Sequence, residues 1–255
     1  MKAQWIQREN RGATAILTLN NAARRNALSR ALVDQLADAL AQIDGEPQTR
    51  VVILTGDGSV FCSGMDLKET RADPDDSEAI ADAQRLADLF DSIHGLGKPT
   101  IAALNGDAYA GGAGLAMSCD FAIAAEGVKI GYPEVKRGLV ASIVMHDLIR
   151  LVGERRARGL LLTGEAIEAE QALDWGLLTA IAPASQLLEQ AEALAARLAE
   201  NGPNALRITK KLIDEATRRP QDLRGAAAVT AAVRVSDEAR EGVAAFLEKR
   251  SPRWH

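Results

Sequence analysis

Cysteine and histidine are scarce in this chain, and each shortage excludes a class of site. Two cysteines among 255 residues, Cys62 and Cys119, are too few for a disulfide framework. Their apolar or glycine-flanked neighbours favour buried, reduced thiols. The three histidines, His94, His146 and His255, share no metal-ligand spacing. We therefore expect a surface or structural role for each histidine and predict no metal site.

Long apolar runs and an excess of positive charge are also missing. No uninterrupted apolar run approaches the roughly 18 residues that span a bilayer, and the opening MKAQWIQREN has no apolar signal core. We expect a soluble, cytoplasmic protein. A net charge of −5 and a pI near 5.4 argue against a general nucleic-acid binder, because phosphate contacts need a basic field. A local basic pocket stays possible.

Several common nucleotide-binding and catalytic signatures are absent from the sequence. There is no GxxxxGK[ST] phosphate loop, no GxSxG elbow, and no GxGxxG with the strand and acidic partner of a dinucleotide site. Ser142, His146 and Asp147 lie close together in sequence, but nothing presents the serine as a nucleophile. A hydrolase triad is therefore disfavoured.

Strand-like and helix-like segments alternate along the chain, which favours an α/β architecture. Ser29 is expected to cap a helix whose apolar residues recur at helical spacing through residue 43. A second helix is predicted around residues 80–93, and helices dominate after residue 143. The predicted strands are residues 13–19, 51–55, 100–104, 121–125 and 129–131, with one late candidate at 178–181.

The last 55 residues are predicted to form a separate helical region after the Gly-Pro break at 202–203. We interpret residues 1–200 as the core and residues 201–255 as three helices, at 204–218, 223–235 and 237–250. Their apolar content is too small for an independent core. We expect them to pack on the core or on a neighbouring subunit.

The stretch from residue 98 to residue 134 is the most informative part of the sequence. A strand pattern leads into a glycine-rich turn that includes Gly111 and Gly112, and a short apolar helix follows it. Glycines let the backbone approach a ligand, and the first N–H groups of a helix have no partner within it. A second glycine-containing loop, residues 63–66, can supply another N–H group. Two such donors that converge on one oxygen form an oxyanion hole.

Glu134 is the isolated acidic group of this stretch. It follows a strand-like run and Pro133, in surroundings that are otherwise apolar or rich in glycine and proline. An anion hole together with one carboxylate predicts proton abstraction next to a carbonyl group.

At these residues the chain resembles the crotonase superfamily, also called the enoyl-CoA hydratase/isomerase family, over essentially its whole length. The segments that carry the resemblance are LNNAARRNAL (19–28), FCSGMDL (61–67), KPTIAALNG (98–106), AGG (110–112), CD (119–120), PE (133–134), LTG (162–164) and FLEKR (246–250). Their order along the chain makes the match specific.

The resemblance implies a crotonase-like spiral of ββα units with a C-terminal α-helical trimerisation region, assembled as a homotrimer or as a hexamer of stacked trimers. It implies an acyl-CoA thioester as substrate and no cofactor, since coenzyme A is part of the substrate. The N–H groups of Met65 and Gly111 would form the oxyanion hole, and Glu134 would be the acid/base. Residues implied to bind substrate or CoA are Arg25, Ala27, Ser63, Asp66, Leu67, Tyr109, Gly112, Pro133, Phe246 and Lys249, the last two in a neighbouring subunit's site.

The departures from the family pattern decide which reaction is predicted. Family hydratases usually carry two glutamates, and the position of the first is Gly114 here. The aspartate of the dienoyl-CoA isomerase branch falls at Ser142. The chain therefore resembles the one-glutamate pattern of Δ3-Δ2-enoyl-CoA isomerases. Hydration is the alternative, with water held by Glu134 and Asp107 or Tyr109, and a non-catalytic acyl-CoA binding protein is the second alternative.

Overall fold

A computed structural model describes residues 4–66, 69, 76–137, 139–218, 241, 248, 250 and 253. Its strands are β1 (Ile6–Arg11), β2 (Thr14–Leu19), β3 (Val51–Gly56), β4 (Val60–Cys62), β5 (Thr100–Leu104), β6 (Asp107–Tyr109), β7 (Phe121–Ala125), β8 (Lys129–Gly131), β9 (Ala166–Glu168) and β10 (Ala180–Ala182). Its α-helices are α1 (Arg30–Asp44), α2 (Asp76–Gly95), α3 (Gly111–Met117), α4 (Met145–Thr163), α5 (Ala169–Asp174), α6 (Leu187–Ala199) and α7 (Pro203–Arg218).

From β3 to β8, consecutive strands alternate between two sheets. The first sheet has the order β1-β2-β3-β5-β7-β10 and is parallel except for the β1–β2 hairpin. The second has the order β4-β6-β8-β9, in which β4, β6 and β8 run parallel. Each step along the chain thus places one strand in each sheet and then a helix, as in β3-β4-α2 and β5-β6-α3. This confirms the α/β class and the spiral of ββα units.

Helix α1 shows how local sequence signals and burial agree. The Ser29 hydroxyl accepts a hydrogen bond from the backbone N–H of Leu32 at 3.2 Å, which caps the helix as predicted. The predicted apolar residues are the buried face of α1: Leu32, Val33, Leu36, Leu40 and Ile43. The residues of β5 are buried throughout, as expected for a parallel strand covered on both faces.

Four short or polar strands, β1, β4, β6 and β9, are not predicted from the sequence. Strand β1 reads IQRENR and buries only Ile6, so it lacks the apolar alternation of a half-buried strand. Strands β6 and β9 have three residues each, too few to show a period. The expectation of a single late strand was wrong, since β9 precedes β10.

Both cysteines are free thiols, and Cys62 is buried. Burial raises the pKa of Cys62 and of Cys119 to about 12, so both thiols stay protonated at neutral pH. This agrees with the prediction of reduced, structural cysteines.

Helix α7 is held against the rest of the chain by Lys210. Its ammonium group lies 2.8 Å from the Asp120 carboxylate and donates to the carbonyl oxygens of Ile93 and Lys98 at 3.2 and 3.3 Å. The helices predicted at 223–235 and 237–250 lie outside the described residues, apart from residues 241, 248 and 250. The division at residue 200 and the contact with a neighbouring subunit stay predictions. Within the described ranges, no helix has the length and apolar composition needed to cross a membrane.

Candidate active site

The three predicted catalytic residues lie at one edge of the second sheet. Strands β4, β6 and β8 are neighbours and run parallel, so their carboxyl ends meet at the same edge. Met65 follows β4, Gly111 follows β6, and Glu134 follows β8. The carboxyl edge of parallel strands is where open α/β sheets commonly bind ligands. The topology therefore places Gly111 between Met65 and Glu134.

The loops that carry Met65 and Gly111 are in direct contact through Gly64. A Cβ atom at Gly64 would lie 3.2 Å from the amide nitrogen of Gly111 and 2.9 Å from the carbonyl oxygen of Tyr109. Gly64 also has a φ of +87°, in the left-handed region that disfavours side chains. Only glycine allows this approach, which brings the two predicted N–H donors close together.

Neither predicted N–H donor, at Met65 or at Gly111, makes a hydrogen bond to another described residue. Leu28 and Met65 form a parallel bridge, in which the Leu28 N–H donates to Gly64 at 2.9 Å and the Asp66 N–H donates to Leu28 at 3.3 Å. Because successive amides of an extended chain point in opposite directions, the Met65 N–H points away from Leu28. Within the described residues, the N–H groups of Met65 and Gly111 have no hydrogen-bond acceptor. They are available to an oxygen of a ligand.

The direction of the Gly111 amide is fixed by an unusual backbone conformation at Ala110. This residue has φ 51° and ψ −124°, which is costly for a residue with a side chain. Its N–H donates to Gly131 at 2.9 Å, and its carbonyl oxygen accepts from Gly114 at 3.0 Å. These bonds tie the start of α3 to the end of β8.

Glu134 lies in a 3-10 helix, Pro133–Arg137, that begins just after β8. The residue is half-buried, and its Oε2 atom is shielded from solvent. The neighbouring Tyr132 is fully buried. Burial, reinforced by the nearby carboxylates of Glu134 and Asp147, raises the pKa of the Tyr132 phenol. The phenol therefore stays neutral beside the predicted acid/base.

The space at Gly114 is filled by apolar side chains from two other helical segments. A Cβ atom there would lie 2.3 Å from Val144 Cγ1 and 3.1 Å from Phe90 Cε2. Both side chains are buried. The position at which family hydratases usually carry a glutamate therefore has no room for an acidic side chain in this protein.

We expect Gly114→Ala to destabilise the fold by about 1–3 kcal/mol, because even a methyl group overlaps Val144. The double variant Gly114→Ala/Val144→Ala should recover part of this lost stability, since the truncated side chain at position 144 no longer occupies the space. Urea unfolding of the two single variants and the double variant measures this coupling. Strictly additive losses would show that Val144 does not limit the space at Gly114.

The two candidate water-binding residues for hydration are bonded to each other. The Tyr109 hydroxyl donates to Asp107 at 3.2 Å, and the other carboxylate oxygen of Asp107 accepts from the Lys129 N–H at 2.9 Å. Burial and the Asp107 carboxylate raise the pKa of Tyr109, while the charges of Lys129 and Arg25 act in the opposite direction. Substrate contacts by Arg25 and Tyr109 stay predictions.

Asn26 positions the segment predicted to bind CoA, and no role for it was predicted from the sequence. It is fully buried, and its side-chain amide donates to the carbonyl oxygens of Asp57 and Val60 at 2.9 and 2.8 Å. The carbonyl oxygen of the preceding Arg25 accepts from the Ser63 N–H at 3.0 Å. These contacts place Arg25 and the adjoining Ala27 beside the loop of Ser63. A buried asparagine in a polar stretch has no periodic pattern by which sequence alone could find it.

Of the other six residues predicted to contact the substrate, the structure describes three. Asp66 is buried and lies 2.8 Å from Arg24 in an ion pair. Gly112 packs against Cys62, whose carbonyl oxygen would be 2.2 Å from a Cβ atom at that glycine. Substrate contacts by Asp66, Gly112 and Pro133 stay predictions. The remaining three, Leu67, Phe246 and Lys249, lie outside the described residues.

The buried His94 is a structural residue that joins α2 to α4. Its Nε2 atom lies 3.1 Å from the carboxylate of Asp147, which also pairs with Arg150 at 3.3 Å. Burial would raise the pKa of Asp147, but the hydrogen bond from His94 and the charge of Arg150 lower it overall. Ser142 and His146 are exposed, so the sequence neighbours of Asp147 do not form a hydrolase triad with it.

Comparisons with known proteins agree with this geometry. The sequence profile of the Enoyl-CoA hydratase/isomerase family matches residues 9–255. The chain is 42% identical to a putative enoyl-CoA hydratase of Thermus thermophilus, over 96% of this chain and 98% of that protein. It is 37% identical to the enoyl-CoA isomerase/hydratase fer4 of Mycosarcoma maydis, over 92% of this chain and 90% of that protein.

A solved structure shows the same fold. The crystal structure of an enoyl-CoA hydratase from Bacillus anthracis superimposes with a TM-score of 0.92 at 35% identity, covering 98% of this chain and 99% of the other. The fold and these matches define an enzyme of the crotonase superfamily. The chain belongs to the enoyl-CoA hydratase/isomerase family.

Proposed function

We propose that this enzyme acts on enoyl-CoA thioesters, with Met65 and Gly111 binding the thioester oxygen and Glu134 moving the proton. The observation that carries this proposal is the meeting of two unused N–H groups and one shielded carboxylate at the ends of adjacent parallel strands. A thioester carbonyl bound at the two amides would place its neighbouring carbon toward the β8 side of the site, where Glu134 lies.

The two amides would stabilise the enolate that forms when a proton leaves the carbon next to the thioester. Each well-placed donor of this kind contributes about 2.7–4 kcal/mol to a transition state. A positioned general acid/base adds about 10²–10⁴-fold in rate. Both effects act on the same charge, because removal of the proton transfers negative charge to the thioester oxygen.

Double-bond isomerisation is the reaction that this geometry supports best. Glu134 would take a proton from C2 of a 3-enoyl-CoA, and the resulting dienolate would be held by the two amides. The same carboxyl group would return the proton at C4, which gives the 2-enoyl-CoA with no net loss or gain of atoms. This cycle needs one carboxylate, and Val144 and Phe90 occupy the space of the other.

Hydration is the second candidate, because the relatives from Thermus thermophilus and Bacillus anthracis are named hydratases and the fungal relative carries both names. In this reaction water adds its oxygen to C3 of a 2-enoyl-CoA and a proton is added to C2. Glu134 would take the proton from water and deliver it to C2. Asp107 or Tyr109 would hold the water through the acceptor lone pairs that their mutual hydrogen bond leaves free.

Product analysis separates the two reactions. A short 3-enoyl-CoA and the matching 2-enoyl-CoA are each incubated with the enzyme in D₂O, and the products are identified by NMR and mass spectrometry. We expect interconversion of the two enoyl-CoA esters, with deuterium entering at C2 and C4. Faster formation of 3-hydroxyacyl-CoA from the 2-enoyl ester would assign the enzyme as a hydratase.

The other expectations from the family resemblance complete the proposal. Coenzyme A would be present only as part of the substrate, and no further cofactor would take part. Assembly as a homotrimer or hexamer would bring Phe246 and Lys249 of one subunit to the CoA of the next. A cytoplasmic location also stays a prediction.

A further inference from the structure

A cleft opens beside the Met65 and Gly111 amides, between α1 and α2. Its empty volume is about 340 Å³, part of which is open to solvent. The apolar side chains that line it are Leu28, Val33, Met65 and Leu86, and the charged ones are Arg30, Asp66, Glu69, Asp82 and Arg85. We call this space the acyl cleft.

The acyl cleft borders the residues of the predicted oxyanion hole. Met65 lines the cleft and also carries one of the two amides. At Gly111, a Cβ atom would lie 3.3 Å from Leu28 Cδ1 and 3.5 Å from Leu86 Cδ2. An acyl chain whose thioester oxygen is bound at the two amides therefore meets Leu28 and Leu86 first.

Asp82 lies one helical turn before Leu86 on α2, and at this point an ion-pair network joins α1 to α2. Arg30 makes two hydrogen bonds of 2.7 Å to the carboxylate of Asp82. Arg85 binds the same carboxylate at 3.1 Å and reaches Asp34 of α1 at 2.8 Å. The side chain of Asp82 is 13% exposed, so the centre of the network is largely buried. We call Arg30, Asp82 and Arg85 the ion-pair cap.

The charge balance of the cleft indicates which chain end it accepts. Both arginines of the cap are already bonded to carboxylates, and Glu69 accepts a hydrogen bond from the Arg30 N–H at 2.9 Å. The lining carboxylates of Asp66, Glu69 and Asp82 outnumber the two lining arginines. Asp66 is itself paired with Arg24, so an acidic chain end would find both lining arginines already bonded to carboxylates and no lining charge left to neutralise it. An apolar chain that extended into the cap would strip water from these ions without replacing their hydrogen bonds, which is unfavourable.

We propose that the ion-pair cap limits the length of the acyl chain, so that the enzyme prefers short, uncharged acyl-CoA thioesters. Arg30, Asp82 and Arg85 are then specificity-determining residues. The inference rests on the proposed function only for the position of the thioester at Met65 and Gly111.

Binding of saturated acyl-CoA esters tests the limit without any reaction, because these esters cannot be isomerised or hydrated. Dissociation constants are measured by calorimetry for straight chains from acetyl to dodecanoyl. In the wild type, affinity should rise about 4-fold per methylene group while the chain fills the apolar part of the cleft, and then stop rising. In Arg30→Met/Asp82→Leu, the rise should continue, with at least about 10-fold tighter binding of the longer esters than in the wild type.

Two further variants provide a partial disruption of the ion-pair cap and a matched control. Arg85→Met leaves the Arg30–Asp82 pair in place and should extend the limit by fewer methylene groups. The matched control is Glu154→Leu/Arg158→Met, which removes an exposed ion pair of 2.8 Å on α4 and should leave the wild-type length profile unchanged. Circular dichroism confirms that each variant is folded.

Several results would overturn the inference. These are a wild-type affinity that keeps rising to dodecanoyl-CoA, identical length profiles in the wild type and both cap variants, and tighter binding of an ω-carboxyl acyl-CoA than of the neutral ester of equal length. Failure of the proposed function is distinguishable, since the length limit would persist while no enoyl-CoA ester was converted. Absence of binding by every acyl-CoA ester would overturn both.

Discussion

Replacement of Glu134 by glutamine should lower kcat about 10²–10⁴-fold for every enoyl-CoA that the enzyme converts, whichever of the two reactions it catalyses. The amide keeps the size and much of the hydrogen bonding of the carboxyl group but cannot take up a proton. Because the Met65 and Gly111 amides are untouched, the affinity for acyl-CoA should change little. Steady-state rates together with calorimetric binding of a saturated acyl-CoA separate these two effects.

The control for this experiment is Glu126→Gln. Glu126 is exposed and lies between β7 and β8, at the opposite end of β8 from Glu134. Its replacement changes the net charge equally and should leave kcat unchanged. If Glu134→Gln retained full activity, the assignment of the acid/base would be wrong. If the wild type bound CoA esters and converted none, the chain would be a non-catalytic acyl-CoA binding protein.

Gly112→Ala should be strongly damaging, costing about 3 kcal/mol of unfolding free energy or preventing folding. The added methyl would lie 2.2 Å from the carbonyl oxygen of Cys62 and 2.7 Å from its carbonyl carbon. Both are backbone atoms, so either α3 or the chain leading to Met65 must shift. The two amides would then separate, and loss of one such donor costs about 10²–10³-fold in kcat.

Gly159→Ala is the matched control for this substitution. Gly159 is exposed in the interior of α4, and a Cβ atom there would have no neighbour within 4 Å. Alanine should therefore stabilise the helix by about 0.5–1 kcal/mol and leave activity unchanged. Urea unfolding and kcat are measured for both variants. A Gly112→Ala protein as stable and active as the wild type would show that the contact with Cys62 does not hold the site together.

Elements with a clear period could be predicted from the sequence, and those set by distant contacts could not. Helix α1 and strands β5, β7 and β8 were predicted because their apolar residues follow a helical period or form short buried runs. Strands β6 and β9 are stabilised by pairing with β8, far from either in sequence, and they leave no local signal.

The candidate site likewise has parts that could be predicted from the sequence and parts that could not. Glycine motifs and one isolated carboxylate pointed to two glycine-containing loops and to Glu134, because both kinds of signal lie within short stretches of chain. The family resemblance assigned the two amides to Met65 and Gly111. The filling of the space at Gly114 by Val144 and Phe90 joins three separate segments, so the sequence showed a missing acid but not what replaced it. The ion-pair cap joins two helices that are far apart in sequence and has no motif of its own.

The alternation of strands between the two sheets has a consequence for how such an enzyme can change. Each of three successive repeats delivers one chemical group to the same edge: an amide after β4, an amide after β6 and a carboxyl group after β8. The other strands of these repeats, β3, β5 and β7, lie in the first sheet, apart from the three groups. A substitution in one connecting turn can therefore alter one group of the reaction while the other two keep their alignment, which leaves room for new chemistry on an unchanged scaffold.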